Sequence, residues 1–597
     1  MALTSPTMQP DHSIRAFAEG FAEQRPVAVG TQHASQVTDM ATSTRVTSRR
    51  TGSVGISMSD PAAFNDDMLV GLTPEQREAV MSPARRLLVR ATAGSGKTHV
   101  LTLRIQRRIS DKEVEADQVL AMTFTRKAGD ELRRRLLRAD IRDIRAGTFH
   151  RAALTLVNQY RDDHHLKALV LEPNRRKLVT ALATQLREGG DVTLEDWQLP
   201  RLEQEIGWAL SQGFNGALYA KNARKLRRDS PLPPSQFADV LDRYVGLCHS
   251  RGVLDFDLLL SEAIALLRDE PNVLASFRHR TRSIYVDEAQ DMNPLQFMLL
   301  RAMAGDDPDL FCVGDPNQSI YGFNGANPQL MVDIVRTWPD TVVLDLTRNH
   351  RSTANIIAVA NTLLEQGAQG ITPAKDDGDV PMVRAYNTDE EEAEHVAAWL
   401  GAKHQPGSPW RSMAVLARTN AQLELIAGYL DAHDIPYERR GPEHSPASDL
   451  LVTPDSWTRR LDDDQRDAVA LSTIHRAKGL EFQCVAAIGW AEGQLPNYNA
   501  TAPHEIAEEQ RLAYVALSRA EDSLLITWSR GRNDPRFPDR SPSRFLAPIE
   551  QVIGAIEQRN APLTGEARKA RLAAIRRELE QAQSELTLPS NGKSNAP

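Results

Sequence analysis

Residues 91–98 read Ala-Thr-Ala-Gly-Ser-Gly-Lys-Thr. Leu87-Leu88-Val89 precede them as a short buried strand would, and Val100, Leu101, Leu103 and Ile105 open a helical pattern behind them. Strand, glycine turn and helix start are the setting in which a phosphate loop works. Gly94 and Gly96 let backbone N–H groups close on phosphate oxygens with no Cβ in the way, and the helix N-terminus adds partial positive charge. Ala91, Thr92, Ala93 and Ser95 complete the cradle. Lys97 is expected to reach the β- and γ-phosphates, and the Thr98 hydroxyl to hold Mg²⁺. The loop implies a nucleoside triphosphate and leaves open what its energy drives.

The whole chain sets outer bounds. With 597 residues it is long enough for several domains. Hydrophobic residues make up 41% and charged residues 25%, as in ordinary globular protein. The 71 basic residues are outnumbered by 79 acidic ones, so no bulk basic signal points to nucleic acid, although a groove needs only local charge. Cys248, Cys312 and Cys484 are far apart and odd in number, which indicates neither a disulfide framework nor a metal cluster. No apolar run approaches a membrane span, so no membrane partner is expected.

Residues 1–67 are rich in Ser, Thr and Ala without periodicity and mix Arg45, Arg49 and Arg50 with Asp11, Glu19 and Asp39. They read as a disordered tail. Residues 68–150 and 251–335 alternate short apolar runs with amphipathic stretches, an α/β pattern with strands expected at Leu87–Val89, Val119–Thr123, Ile284–Val286 and Leu310–Val313. Residues 151–250 lack that alternation and read as an all-α insertion, with helices such as Arg175–Arg187 and Phe237–Cys248. Within it, Lys221 to Arg228 carries five cations in eight residues, either a solvated face or a contact to nucleic-acid phosphates. A second α/β block covers 336–548, with strands expected at Val342–Leu346, Pro381–Tyr386, Met413–Leu416, Ala468–Thr473, Gln483–Ile488 and Leu524–Thr527. It has no phosphate loop of its own. Polar 441–467 reads as an irregular connection, and 549–597 as a C-terminal helix with a disordered end.

Ser283-Ile284-Tyr285-Val286-Asp287-Glu288 is an apolar strand ending in two carboxylates. Acids also favour helix starts, but beside a phosphate loop they have work to do. Asp287 is expected to hold Mg²⁺, and Glu288 to orient and deprotonate the attacking water. A lone phosphate-loop domain hydrolyses slowly unless charge on the transferred phosphoryl is stabilised, and arginines from a second domain could do this. Arg351 and Arg519 each stand in a motif-like stretch of the second block.

In their order these motifs resemble the superfamily 1 DNA helicases of the UvrD/Rep/PcrA group. Leu72 to Val80 resembles the family's adenine-reading motif, with Gln76 on the base. Thr123-Phe124-Thr125-Arg126-Lys127-Ala128 and Gly147-Thr148-Phe149-His150 resemble two single-strand contact motifs. Leu254-Asp255-Phe256-Asp257 matches a family stretch. Val313 to Tyr321 resembles motif III, where Gln318 senses the γ-phosphate and Tyr321 and Phe323 meet DNA. Ser472 to Phe482 resembles motif V, which puts His475 on DNA and Glu481 on the ribose. The resemblance makes Arg351 and Arg519 the two γ-phosphate arginines and puts His350 against adenine. It implies two RecA-like parallel-sheet domains, ATP and Mg²⁺ as cofactors, and single-stranded DNA gripped by Thr125, Phe149 and Phe323.

There are departures. Motif III has Phe323 and Asn324 where the family has Trp and Arg, and motif IV has His350 where it has Tyr. The 2B subdomain that normally precedes motif V is reduced to the short stretch 441–467. The implied function is ATP-dependent 3′→5′ DNA unwinding and single-strand translocation in repair or replication, in the cytoplasm beside the nucleoid. Single strands, single–double-strand junctions and repair or replication proteins are the implied partners, for a monomer or weak oligomer. A translocase that strips proteins from DNA without unwinding, a helicase–nuclease and an ATP-gated scaffold are the alternatives. The small C-terminal tail argues against the nuclease, and the full catalytic set against the scaffold.

Overall fold

The computed structural model describes residues 64–189, 194–226, 228, 230–365, 368, 370–439, 466–531 and 539–561, with isolated positions up to 577. Most of the expected N-terminal tail, of the connection 441–467 and of the chain beyond 561 lies outside these residues.

The first half supplies β1 (Arg86–Ala91), β2 (Val119–Thr123), β3 (Arg145–Thr148), β4 (Val170–Leu171), β5 (Val253–Leu254), β6 (Ser283–Val286), β7 (Leu310–Gly314) and β8 (Val342–Leu346). Six of them form a parallel sheet in the order β3-β2-β6-β7-β1-β8. Its inner strands read as unbroken apolar runs because helices cover both faces. In β2, Val119 and Ala121 enter one core with Val100 and Leu101, while Leu120 and Met122 enter the opposite one with Leu260 and Leu300. Strand β3 escaped the sequence reading because Arg-Ala-Gly-Thr offers no apolar run.

Three expected boundaries move. The Phe64 N–H bonds Ser110 Oγ at 2.9 Å and Leu69 is buried, so ordered chain starts before residue 68. Strand β8, expected to open the second domain, pairs with β1 from Leu87↔Val342 to Ala91↔Leu346 and closes the first sheet instead. The helix Phe149–Asp163, expected in the insertion, buries Phe149, Ala153, Leu156 and Val157 in the first domain's core.

The insertion proper packs the helices Arg175–Gly189, Leu199–Ser211, Gly216–Asn222 and Pro234–Arg251 around Leu182, Ile206, Tyr219, Phe237 and Leu241. It is not purely helical: β4 and β5 pair in parallel at its root. In the basic stretch, Arg228 is withdrawn onto Glu205 at 2.5 Å and lies 4.0 Å over the Trp208 ring, while Lys221, Arg224 and Lys225 are exposed.

The second half supplies β9 (Arg348–Asn349), β10 (Thr372–Pro373), β11 (Met382–Thr388), β12 (Met413–Ala417), β13 (Tyr437–Arg439), β14 (Val469–Thr473), β15 (Phe482–Ala487) and β16 (Ala520–Gly531). The second parallel sheet runs β11-β16-β15-β12-β14-β13, and β9 pairs with β10 apart from it. Strand β13 was not expected. The helix Leu546–Asn560 buries Leu546, Ile549 and Ile553 in this domain's core, which carries the domain past the expected limit of 548. Ala93 and Ile320, both from the first domain, sit in that same core, so the two domains meet along an apolar seam. No helix among the described residues is long and apolar enough to cross a membrane.

Candidate active site

The loop after β1 is held open by its glycines. Gly96, at φ 81°, is the N-cap of the helix Lys97–Ser110 and supplies no side-chain cap, so the first N–H groups stay available to an anion. Gly94, at φ 67°, passes so close to the second domain that a Cβ there would stand 2.5 Å from Asn349 Nδ2 and 2.9 Å from Arg351 Cβ. Thr92 and Ser95 work inside the loop: Ser95 Oγ donates to the Thr92 carbonyl at 2.8 Å, and the Thr92 N–H reaches Leu346 O at 3.0 Å. Ala91 is the last residue of β1.

Gln76 supports this loop from outside. Its Oε1 accepts the Thr73 N–H at 3.0 Å in a capping box, and its Nε2 donates to Ser95 O at 2.9 Å. Arg104, which the sequence reading passed over, is buried and donates to the carbonyls of Ala79, Ser82 and Ala84 at 2.7–2.9 Å. It ties the end of the Gln76 helix to the phosphate-loop helix.

Strand β6 delivers the acids to the same sheet edge. Asp287 Oδ2 accepts from Thr98 Oγ1 at 3.3 Å, and Lys97 Nζ stands 3.8 Å from Glu288 Oε2. Burial, then the neighbouring Glu288 carboxylate, pushes Asp287 up to about 7. Burial also works against ionised Glu288, but Lys97 and Lys478 outweigh it and hold that carboxylate at about 2. Glu288 adopts φ 52°, an uncommon backbone for a residue with a side chain. Fully buried Gln290, also missed, donates to Glu288 Oε2 at 2.5 Å and accepts the Asp315 N–H at 2.9 Å, joining the acids to motif III. Gln318 Nε2 in turn donates to Asp315 Oδ2 at 2.7 Å.

The second domain forms the opposite wall. Arg519, 2% exposed, donates to Leu480 O at 3.1 Å, Ser518 Oγ at 3.0 Å and Gln318 Oε1 at 3.4 Å. Burial, with Arg351 alongside, pulls its guanidinium down to about 9. Two guanidinium groups brought together with little water favour an anion between them. Arg351 donates to Ser518 O at 3.0 Å and Glu481 Oε2 at 2.7 Å. Glu481, expected on the ribose, is here the counter-charge of Arg351. His350 is exposed beside the loop, its N–H on Gly94 O at 2.9 Å. Lys478 crosses between the domains to Asp291, at 2.5 and 2.7 Å, and to Gln318 O at 2.6 Å.

An aromatic cluster lies beyond this wall. Tyr321 stacks on Phe124 at 5.2 Å, and Phe323 stands edge-on to His475 at 5.7 Å and to Tyr321 at 6.1 Å. Phe323 is 50% exposed and has a free face. Phe124, inside the first single-strand contact motif, is a further member of this cluster. Thr125 and Thr148 are N-caps, accepting from Ala128 and Arg151 N–H groups at 3.2 Å, and Arg126 stands 3.6 Å from Asp130. His150 stands edge-on to Phe256 at 5.5 Å, its imidazole held down at about 4 by burial. Phe149 is the correction: only 1% exposed, it belongs to the core and has no face for a base.

Comparison with known proteins matches this architecture. The UvrD/REP helicase N-terminal domain matches residues 72–339, and the UvrD-like helicase C-terminal domain matches 344–443 and 455–531. The ATP-dependent DNA helicase UvrD2 of Mycobacterium tuberculosis is 31% identical, over 86% of this chain and 85% of its own length. UvrD1 of the same organism is 31% identical over 77% of this chain and 63% of its own, and PcrA of Staphylococcus epidermidis is 30% identical over 63% and 51%. With both halves matched in order over two parallel sheets, the chain belongs to the UvrD/REP helicase family.

Proposed function

We propose that this protein is an ATP-dependent DNA helicase that hydrolyses ATP between its two domains and moves 3′→5′ along single-stranded DNA. The observation that carries the reading is the meeting of Arg519 with Gln318 at 3.4 Å, across from the Lys97–Glu288 pair. The loop N–H groups and Lys97 bind the phosphates, with Gln76 and His350 towards the base. Glu288 takes a proton as the water oxygen bonds the γ-phosphorus and the bridging oxygen leaves with ADP. Arg351 and Arg519 stabilise the charge that develops on the transferred group. Thr98 Oγ1 and Asp287 Oδ2 are hard oxygen donors on one side of the loop, which suits Mg²⁺. When bound there, Mg²⁺ would neutralise charge on the phosphate oxygens.

The path of DNA is read from the aromatic cluster. Phe323 offers a base a stacking face, and Tyr321 and His475 back it. Thr125, Arg126, Thr148 and His150 follow on the first domain. Because Tyr321 Oη donates to His475 O at 3.3 Å across the domain seam, closure on ATP would shift the grip on the strand. Single strands and single–double-strand junctions are the substrates, and the work belongs to repair or replication beside the nucleoid.

A second reading is a translocase that does not unwind without a partner. Residues 440–468 are all that joins β13 to β14, where the family resemblance implies a 2B subdomain. The match to the C-terminal domain breaks there, and the alignment with UvrD2 runs over 616 positions, more than the 597 of this chain. Strand displacement on a 3′-tailed duplex, run beside translocation on single strands, separates the readings. Unwinding supports the first, and movement without unwinding the second. Lys97→Ala is expected to abolish DNA-stimulated ATP hydrolysis, and a variant that retained it would sink both.

A further inference from the structure

Ala93 is held at both ends by the second wall of the cleft. Its carbonyl accepts from Asn349 Nδ2 at 2.7 Å, and its N–H donates to Tyr514 Oη at 3.3 Å. Both partners are fully buried. Each stands close before a candidate γ-phosphate arginine.

Asn349 lies two residues ahead of Arg351. The oxygen of its amide accepts the Arg351 N–H at 2.9 Å and the Ser352 N–H at 2.8 Å. One planar side chain therefore fixes the backbone that bears Arg351 and, through its other end, the phosphate loop. Tyr514 lies on the helix that leads into Arg519. Its hydroxyl also stands 3.5 Å from Asp315, which binds Gln318, which meets Arg519. The path thus leaves the helix at Tyr514 and rejoins the chain just past the helix end, at Arg519. Gly94 permits the close approach, since a Cβ there would strike Asn349.

We propose that Asn349 and Tyr514 are positioning residues that seat Arg351 and Arg519 over the phosphates by gripping the Ala93 peptide groups from both sides. The proposal rests on the reading of this cleft as an ATP-hydrolysing site. Ala93 serves as the register mark: when the loop holds a phosphate, both arginine-bearing segments are aligned to it by one residue. Displacement of a charge-stabilising group by about 1 Å can cost on the order of a hundredfold in rate, so a shared mark of this kind matters to turnover. It matters less to nucleotide binding, which the loop N–H groups and Lys97 supply.

The test uses the full chain with Tyr514→Phe, Asn349→Asp and the double variant. Tyr514→Phe removes only the hydroxyl. Asn349→Asp keeps the oxygen that holds the Arg351 segment and loses the donor to Ala93. Single-strand-stimulated ATP hydrolysis gives kcat and KM, fluorescent-nucleotide binding gives affinity, and thermal melting reports the fold. Each single variant is expected to lower kcat about tenfold while KM for ATP stays within about twofold. The double variant should fall no more than about twofold below the worse single, because both act on one residue. Wild-type kcat in either single variant, a loss confined to KM, a multiplied loss in the double, or a loss that follows a lowered melting midpoint would each overturn the clamp. An inert wild-type chain would overturn the ATPase reading and the clamp with it, whereas an active one with unimpaired variants would overturn the clamp alone.

Discussion

The two parallel sheets have the same number of strands and opposite duties, and the turns that leave them show why. After β1 the chain makes a glycine turn, and the next helix begins at an N-cap with no side chain to offer its N–H groups. After β12 it runs through Arg418-Thr419 straight into the helix Asn420–Ala432, where Gln422 Oε1 takes the Thr419 N–H at 2.9 Å. Arg418 turns aside to Glu509 at 2.8 Å. One sheet edge is therefore left open to an anion, and the other is closed by its own side chains and contributes charge from neighbouring segments. On the proposed function, two similar scaffolds would become a binding wall and a charge-supplying wall through a handful of residues at strand ends.

Four substitutions probe that division. Arg519→Ala should have the largest effect, a fall in kcat for ATP hydrolysis of about a thousandfold with nucleotide binding kept. If affinity fell in step with kcat, the second wall would be a binding wall too. Phe323→Ala should weaken single-strand binding by about 1–3 kcal/mol, roughly five- to 150-fold, without altering hydrolysis in the absence of DNA. Fluorescence titration with oligonucleotides, beside basal turnover, checks this. The smallest contrast sets Gln76→Ala against Gln422→Ala. Each removes a capping-box glutamine and should cost about 1 kcal/mol of stability in a denaturant melt. Only Gln76→Ala should also raise KM for ATP, because only Gln76 reaches the phosphate loop, through Ser95 O at 2.9 Å. Equal kinetics for the pair would remove the contrast.

Several misreadings share one cause. A short apolar run such as β8 carries no mark of its neighbour, so the sequence puts it in the second sheet and the fold puts it beside β1. Its motif points Phe149 to DNA, yet Phe149, Ala153 and Leu156 already follow the spacing of a buried helix face. Glu481, which the resemblance puts on the ribose, also pairs with Arg351 at 2.7 Å, a contact its motif does not announce. Asn349 and Gln290 drew no notice because a buried amide looks like any surface amide until its partners are known.

What the sequence determined by itself was the local chemistry: the glycine turn of residues 91–98, the strand that delivers Asp287 and Glu288, and the two motifs that hold Arg351 and Arg519. Each is written within about ten residues, because backbone conformation and helix ends respond to near neighbours. Only the tertiary structure decided which sheet β8 joins, which aromatic rings face outward, and that both arginine-bearing segments converge on Ala93. Those contacts join residues hundreds of positions apart, and packing and burial between distant segments leave no short-range signature in the chain.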